Sequence, residues 1–470
     1  MSKLKELQKK LLYKKNNIWE VISEKEKNSI YQFTDEYITF LNSVATPRQV
    51  IKNVKKMLDS ENYFDISSEK KSNNIYEIVK DKSMVVTTIG KKRIQDGINI
   101  LAAHIDSPCI DIKQNPLYEC ENVSLLKTHY YGGIKNYQWL SIPLALCGIV
   151  VKKDGTIIDV SIGMNQDEPV FIIPDLLPHL GRKAQFEKKV VDAFDANKMS
   201  LVFSSIPFVD DKEKKIKESI KLNAINILYQ KYGIRERDLI SSELILTPAI
   251  KARSAGIDSS MVAAWGQDDR LSVFCAVKSL LKQKKPLKTS VVLLVDREEI
   301  GSQGNTSASS PILKNFIRKI LKLNRESYDS ITVEQTINNS QIISADVSAA
   351  VNPNYLEVHD IQNATIMNCG IEISKFTGFG GKYMGNDASS IYLSKLISIF
   401  DSEKINWQIS SLGKVDVGGG GTIAKYLANL GCDVVDCGIG LMGLHSLSEL
   451  AGKADIYELF RAFDCFLRKA

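Results

Sequence analysis

Two histidines and five carboxylates stand just beyond short apolar runs: His104 and Asp106 after "INILAA", Asp268 in "WGQDDR", Glu298 and Glu299 after "SVVLLV", Asp346 after "QIISA", and His445 after "CDVVDCGIGLMGL". Carboxylates gathered on one rim repel and raise one another's pKa unless a cation neutralises them. Imidazole nitrogen mixed with carboxylate oxygen is a ligand set for zinc, with cobalt and manganese as alternatives. Five ligands sharing one carboxylate would hold two divalent ions a few Å apart with positions left open. Such a pair brings the pKa of a water toward neutrality and polarises a carbonyl. The adjacent glutamates then divide the work, one on metal and one as general base. In an extended chain, alternation would turn them to opposite sides. Each residue alone says less: a lone histidine is more often packed than ligating, and Asp346 alone caps a turn.

These residues need elements that bring them to one place. Val291–Val295 is an apolar run of the kind buried on both faces of a sheet, and "INILAAHID" is another. "SQIISAD" and "CDVVDCG" are further short strands. "RLSVFCAVKSLLKQ", "TIAKYLANLG" and "DIYELFRAFDCFL" carry apolar residues at helical spacing. Near the N-terminus Phe33, Tyr37, Phe40 and Leu41 mark one helix. Thr46-Pro47-Arg48-Gln49 opens a second with a capping box and a proline at its first position. Alternating strands and helices predict an α/β fold: a doubly wound, mostly parallel sheet sandwiched by helices, with ligands beyond the carboxyl ends of its strands. From 109 to 247 the texture changes. "IVVKKDGTIIDVSIG" reads as a hairpin about Asp154-Gly155, "PVFIIPDLLPHL" is broken by prolines, and the lysine-rich "DDKEKKIKESIKLNAINILYQKYG" reads as a helix before the strand "SELILT". We read 109–247 as a smaller β-rich domain inserted into a catalytic domain made of 1–108 and 248–470.

Composition excludes several classes. The 470 residues are 44% hydrophobic and 25% charged, and the net charge of +6 is spread rather than striped, which excludes a nucleic-acid partner. Eight cysteines form no Cys-x-x-Cys pair and several sit in apolar runs, as in a reducing cytoplasm. The lysine-rich start lacks a signal-peptide core, and "IPLALCGIVV" is too short to span a membrane.

"AAHIDSP", "QDDRL", "DREEIGS", "SADVSAAVNPNY" and "GLHSLSELAG", in this order and strand-end context, resemble the aspartyl aminopeptidase family of dinuclear zinc metallo-aminopeptidases across nearly the whole chain. The resemblance implies a zinc-peptidase type fold and hydrolysis of the N-terminal residue of peptides. By it, His104 and Asp346 hold one metal, Glu299 and His445 the other, and Asp268 bridges them. Glu298 is the general base, and Asp106 orients His104. It further implies a homo-oligomer, a tetrahedral dodecamer with dimer contacts made by the inserted domain. His179 reaches a neighbouring subunit's site, and Lys382 meets the side-chain carboxylate of an acidic N-terminal residue. Alanine and asparagine stand at 349 and 352 where family members often have histidine, and Asp269 follows the bridging aspartate in place of the usual asparagine.

Three other readings compete. A carboxypeptidase or N-acyl amino acid deacylase would keep the metals and add an arginine clamp for a free carboxylate. A nucleotide-binding α/β protein would use "KVDVGGGGTIAKYL" to cradle phosphate, but that stretch lacks the Lys-Ser/Thr of a P-loop and the dinucleotide spacing. Close backbone approach beside the site explains those glycines better. A non-catalytic assembly protein need not retain every ligand and the base.

Overall fold

The computed structural model describes residues 3–68, 70–210 and 216–470. Among them, nine strands form a mixed sheet in the order Phe64–Asp65, Asn74–Val79, Ser83–Thr88, Ser290–Val295, Asn99–His104, Gln341–Ser344, Asp433–Gly438, Ile371–Ser374 and Trp407–Ile409. The four strands from Ser290–Val295 to Asp433–Gly438 run parallel. They are the apolar runs read from the sequence, and all end on the same rim. Antiparallel pairs flank them: Ser83–Thr88 on one side and Ile371–Ser374 on the other. The hairpin Asn74–Val79 with Ser83–Thr88 had no strong signal, because its polar residues break the apolar run.

Alternation along the central strands divides the interior in two. Leu101, Ala103, Val292 and Leu294 face one core with Phe33, Val50, Phe274, Leu396 and Phe463. Ile100, Ala102, Val291 and Leu293 face the other with Phe316, Ile337 and Leu427. Helices Glu24–Leu41, Pro47–Ser60, Gln267–Leu281, Ser390–Ser402 and Lys453–Lys469 thus cover one face, and Ile312–Leu323, Ser330–Asn338 and Ala424–Ala428 the other. The capping box at Thr46 and Gln49 forms as read.

A six-stranded sheet lies within residues 109–248, in the order Ile157–Ile162, Leu144–Val151, Ser242–Pro248, Cys109–Cys120, Val123–Tyr131 and Leu201–Ser204. Its own core gathers Trp139, Leu146, Val160 and Leu246. The hairpin about Asp154-Gly155 joins its edge pair. The helix read over 210–233 is found at Ser219–Tyr232; the expectation for 211–215 lies outside the described residues. "PVFIIPDLLPHL" makes isolated bridges through Phe171 and Ile172 and then the short helix Pro178–Gly181. A five-stranded sheet of short segments carries Met261–Ala264 and Glu449–Gly452 side by side, which sets the stretches bearing Asp268 and His445 next to each other. All eight cysteines are free. Among the described residues no helix is long and apolar enough to cross a membrane.

Candidate active site

His104 is the last residue of its strand and is 1% exposed. Asp268 sits where the chain enters the helix Gln267–Leu281, with non-helical backbone at Asp268 and Asp269. Asp346 follows the strand Gln341–Ser344, and His445 lies in a turn at φ 62°. The two oxygens of Asp268 serve the two histidines: Oδ1 is 3.1 Å from His104 Nε2 and Oδ2 is 3.2 Å from His445 Nε2. Asp346 Oδ1 is 3.7 Å from His104 Nε2, and Glu299 Oε2 is 3.6 Å from His445 Nε2. His104, Asp268 and Asp346 converge as one potential ligand group and Asp268, Glu299 and His445 as another. Glu298 joins His104 and Glu299 in a third.

The other ring nitrogens are held from behind. His104 Nδ1 lies 3.0 Å from the Asp106 carbonyl and 3.3 Å from Asp106 Oδ1, and His445 Nδ1 lies 2.9 Å from the Gly133 carbonyl. With Nδ1 as the donor, each ring turns an Nε2 lone pair toward the cluster. Asp106 does more. Its Oδ1 accepts from the Glu298 amide and its Oδ2 from the Glu299 amide, each at 3.1 Å, and the Tyr131 hydroxyl donates to Oδ2 at 2.8 Å. The glutamates are therefore not separated by strand alternation. The strand ends at Val295, Arg297 takes the left-handed conformation at φ 68°, and Glu298–Ile300 form one 3₁₀ turn pinned to Asp106.

Glu449 plays the matching part on the other side. It accepts from the Gln267, Asp268 and His445 amides at 2.7, 3.3 and 2.9 Å. Sequence reasoning missed Glu449, although a glutamate four residues after a candidate ligand histidine was a usable signal. It also missed Tyr131 and Gly133. Tyr131 ends a strand of the six-stranded sheet and Gly133 lies two residues beyond it, and only the tertiary fold brings them here.

Electrostatics fit a cation. Burial, with Asp268 adding, pushes the Glu299 carboxyl well above its usual range, and burial with the Asp346, Asp106 and Asp268 charges lifts Glu298 to about 8. Burial opposes the charge on His445, yet the Asp268 contact and the Glu299 charge raise its pKa to about 10. Asp268 goes the other way: burial is outweighed by its two histidines, and it stays below the ordinary range. A cluster shifted this way is short of positive charge. Asp268 Oδ1 and Glu299 Oε1 are buried without a hydrogen-bond partner among the described residues, as ligand atoms awaiting a metal would be.

Two predicted residues stand apart. His179 is exposed on the short helix Pro178–Gly181 and does not line the cavity of about 1210 Å³ that holds the cluster. Lys382 does not line it either: its ammonium is 2.8 Å from Asp387 and 4.3 Å from the centre of the Phe376 ring. It is already paired, and the lysines that do line the cavity include Lys375, Lys414 and Lys425. Gly418 to Gly421 line it as well, and a Cβ on Gly419 would meet the Gly378 carbonyl at 2.5 Å, so close backbone approach accounts for the glycines.

A histidine–carboxylate cluster in a large cavity at the carboxyl rim of a mixed α/β sheet defines a metallohydrolase. The chain belongs to the aminopeptidase I zinc metalloprotease (M18) family, whose model matches residues 40–467, and it is thus a peptide-hydrolysing metallo-aminopeptidase. It is 39% identical over 467 residues to a probable M18 family aminopeptidase 1 of Clostridium acetobutylicum, a match covering 97% of this chain and 99% of that one. The crystal structure of an M18 aminopeptidase from Thermotoga maritima, 38% identical, superposes with a TM-score of 0.92 over 98% of this chain and 100% of the other. A structure of the Saccharomyces cerevisiae mApe1 dodecamer shares the fold at 22% identity, with a TM-score of 0.72 over 94% of this chain and 97% of that one.

Proposed function

We propose that this chain releases the N-terminal residue of peptides at a dinuclear centre on a doubly wound, zinc-peptidase type sandwich. In this reading His104 and Asp346 hold one ion, Glu299 and His445 the other, and Asp268 bridges. Zinc is the metal of the family, with cobalt and manganese as alternatives of similar ligand preference. The observation that carries the reading is the split of the Asp268 carboxylate, one oxygen to each histidine, with both histidines anchored through Nδ1. When bound, the ions would supply Lewis acidity toward the scissile carbonyl and acidify a water placed between them.

The chain's own residues do the rest. Glu298 takes a proton from the attacking water as the new C–O bond forms. It returns that proton to the peptide nitrogen as the C–N bond breaks, releasing one amino acid and a shortened peptide. Asp106 holds the Glu298 and Glu299 amides and the His104 ring in register, so base and ligands are spaced by one carboxylate.

Residues 109–247 act here as an oligomerisation domain of a homo-oligomer, in this reading a tetrahedral dodecamer; the structure of the yeast relative is named as a dodecamer. Exposed apolar side chains between 176 and 191, namely Leu176, Leu177, Leu180, Phe186, Val190 and Val191, support a subunit contact there. His179 stands among them, where it would serve a neighbouring subunit. Eight free cysteines suit a cytoplasmic location. The test is release of N-terminal residues from aminoacyl substrates before and after EDTA, then with zinc, cobalt or manganese restored, alongside elemental analysis. Activity indifferent to chelation, in a protein free of metal, would overturn this reading.

A further inference from the structure

Beside the metal cluster, one face of the sheet turns polar. Ser344 pairs with Asp436 across one strand boundary and Ser374 pairs with Asp436 across the next. Glu372, two residues before Ser374, shares that face by alternation. Both carboxylates line the active-site cavity, yet Glu372 is 2% and Asp436 3% exposed. Their neighbours are hydroxyls rather than cations: Ser374 donates to Glu372 at 2.9 Å and Thr422 to Asp436 at 2.7 Å. Asp436 Oδ2 and Ser344 Oγ are buried and make no hydrogen bond of good geometry among the described residues, although the Ser344 hydroxyl is near enough to oppose the rise in the Asp436 pKa. Burial lifts Glu372 to about 8, the Asp436 charge adding, and lifts Asp436 to about 7.

Two buried acids with an unanswered oxygen are costly unless a ligand brings positive charge. Lys135, Lys375, Lys414 and Lys425 line the same cavity, but among the described residues none of them forms an ion pair with either acid. Both acids line the same cavity as His104, Asp268 and Asp346, so a peptide held at the cluster passes beside them.

We infer that Glu372 and Asp436 form the floor of the subsite for the N-terminal side chain and select a cationic one, lysine or arginine. The inference rests on the aminopeptidase reading above. A long aliphatic stem lies along the cavity wall, and its charged head meets the two acids and the hydroxyls around them.

The experiment compares lysyl, arginyl, leucyl and glutamyl 7-amido-4-methylcoumarin on the zinc-loaded protein, with Glu372→Gln and Asp436→Asn as variants. Independently of turnover, calorimetry compares the binding of L-lysine with that of L-norleucine, which lacks the ammonium. A kcat/KM for lysyl and arginyl about tenfold or more above leucyl is expected, with glutamyl lowest, and each variant should shrink the lysyl-to-leucyl ratio about tenfold. Lysine should bind about tenfold tighter than norleucine, and the variants should erase that difference. A ratio unchanged in both variants, or a uniform loss over all substrates as from an α-amine or scaffold role, overturns the inference. Absence of release from every substrate overturns the aminopeptidase reading instead, and the lysine–norleucine comparison then decides the subsite.

Discussion

Glu298 and Glu299 are chain neighbours in one turn, but they have different surroundings and should fail differently when changed. Glu299 Oε2 is 3.6 Å from His445 Nε2, so Glu299→Ala should lower zinc content, measured by elemental analysis after dialysis. Glu298→Ala should keep its zinc and lose turnover by about a hundredfold or more, as removal of a general base does. Full activity in the second variant would sink the base assignment. Tyr131 offers a subtler test. Its hydroxyl is one of three donors to the Asp106 carboxylate, so Tyr131→Phe should leave the fold intact. Loosening a carboxylate that orients ligands typically costs about 10- to 100-fold in metal affinity or activity. A variant with wild-type zinc affinity and kcat would show Tyr131 to be a spectator.

Where the local chemistry of an element was complete in the chain, it was legible there. The Thr46–Gln49 capping box forms, and because Thr46 is buried and donates order to a helix that packs on the core, Thr46→Ala should cost about 1 kcal/mol in denaturant unfolding. The Asp154-Gly155 hairpin forms for the same reason. Gly438 is the opposite case. It ends an apolar strand without any visible signal, yet a Cβ there would sit 1.8 Å from the Asp346 carbonyl. Gly438→Ala should destabilise the protein by about 1–3 kcal/mol through overpacking and displace Asp346 with it. Loss of zinc together with stability is the expected result, whereas stability loss with normal zinc binding would mean the strand absorbs the shift away from the site.

For the molecule as a whole, charge links the metal site to pH. His445 has its pKa raised to about 10, so at neutral pH its ring keeps a proton that an arriving ion must displace. Zinc affinity should therefore increase as pH rises toward that value and weaken below it, by about tenfold per pH unit for each proton displaced. Calorimetry in buffers of different ionisation enthalpy would count those protons, and a pH-independent affinity would contradict the argument. Assembly belongs to this scale too. Light scattering should give a mass close to a dodecamer, and polar substitutions at Leu177 and Leu180 should reduce it; a monomer would remove the assigned role of residues 109–247.

The histidines and carboxylates that meet in the cluster, the parallel core strands and the helices around them were readable from the chain, because each is declared by residue type and spacing within a few positions. The apolar runs end where the ligands begin, and a rim of acids and histidines needs a cation. What no local pattern states is how distant segments meet. Tyr131 and Gly133 reach the cluster from the six-stranded sheet, and Glu449 braces Asp268 across a strand pair. Lys382 turns aside to Asp387, and Glu372 comes to share a face with Asp436 only through antiparallel register. Those facts depend on contacts between residues far apart in sequence, which hydrogen-bond pairing and burial settle only once the chain has folded.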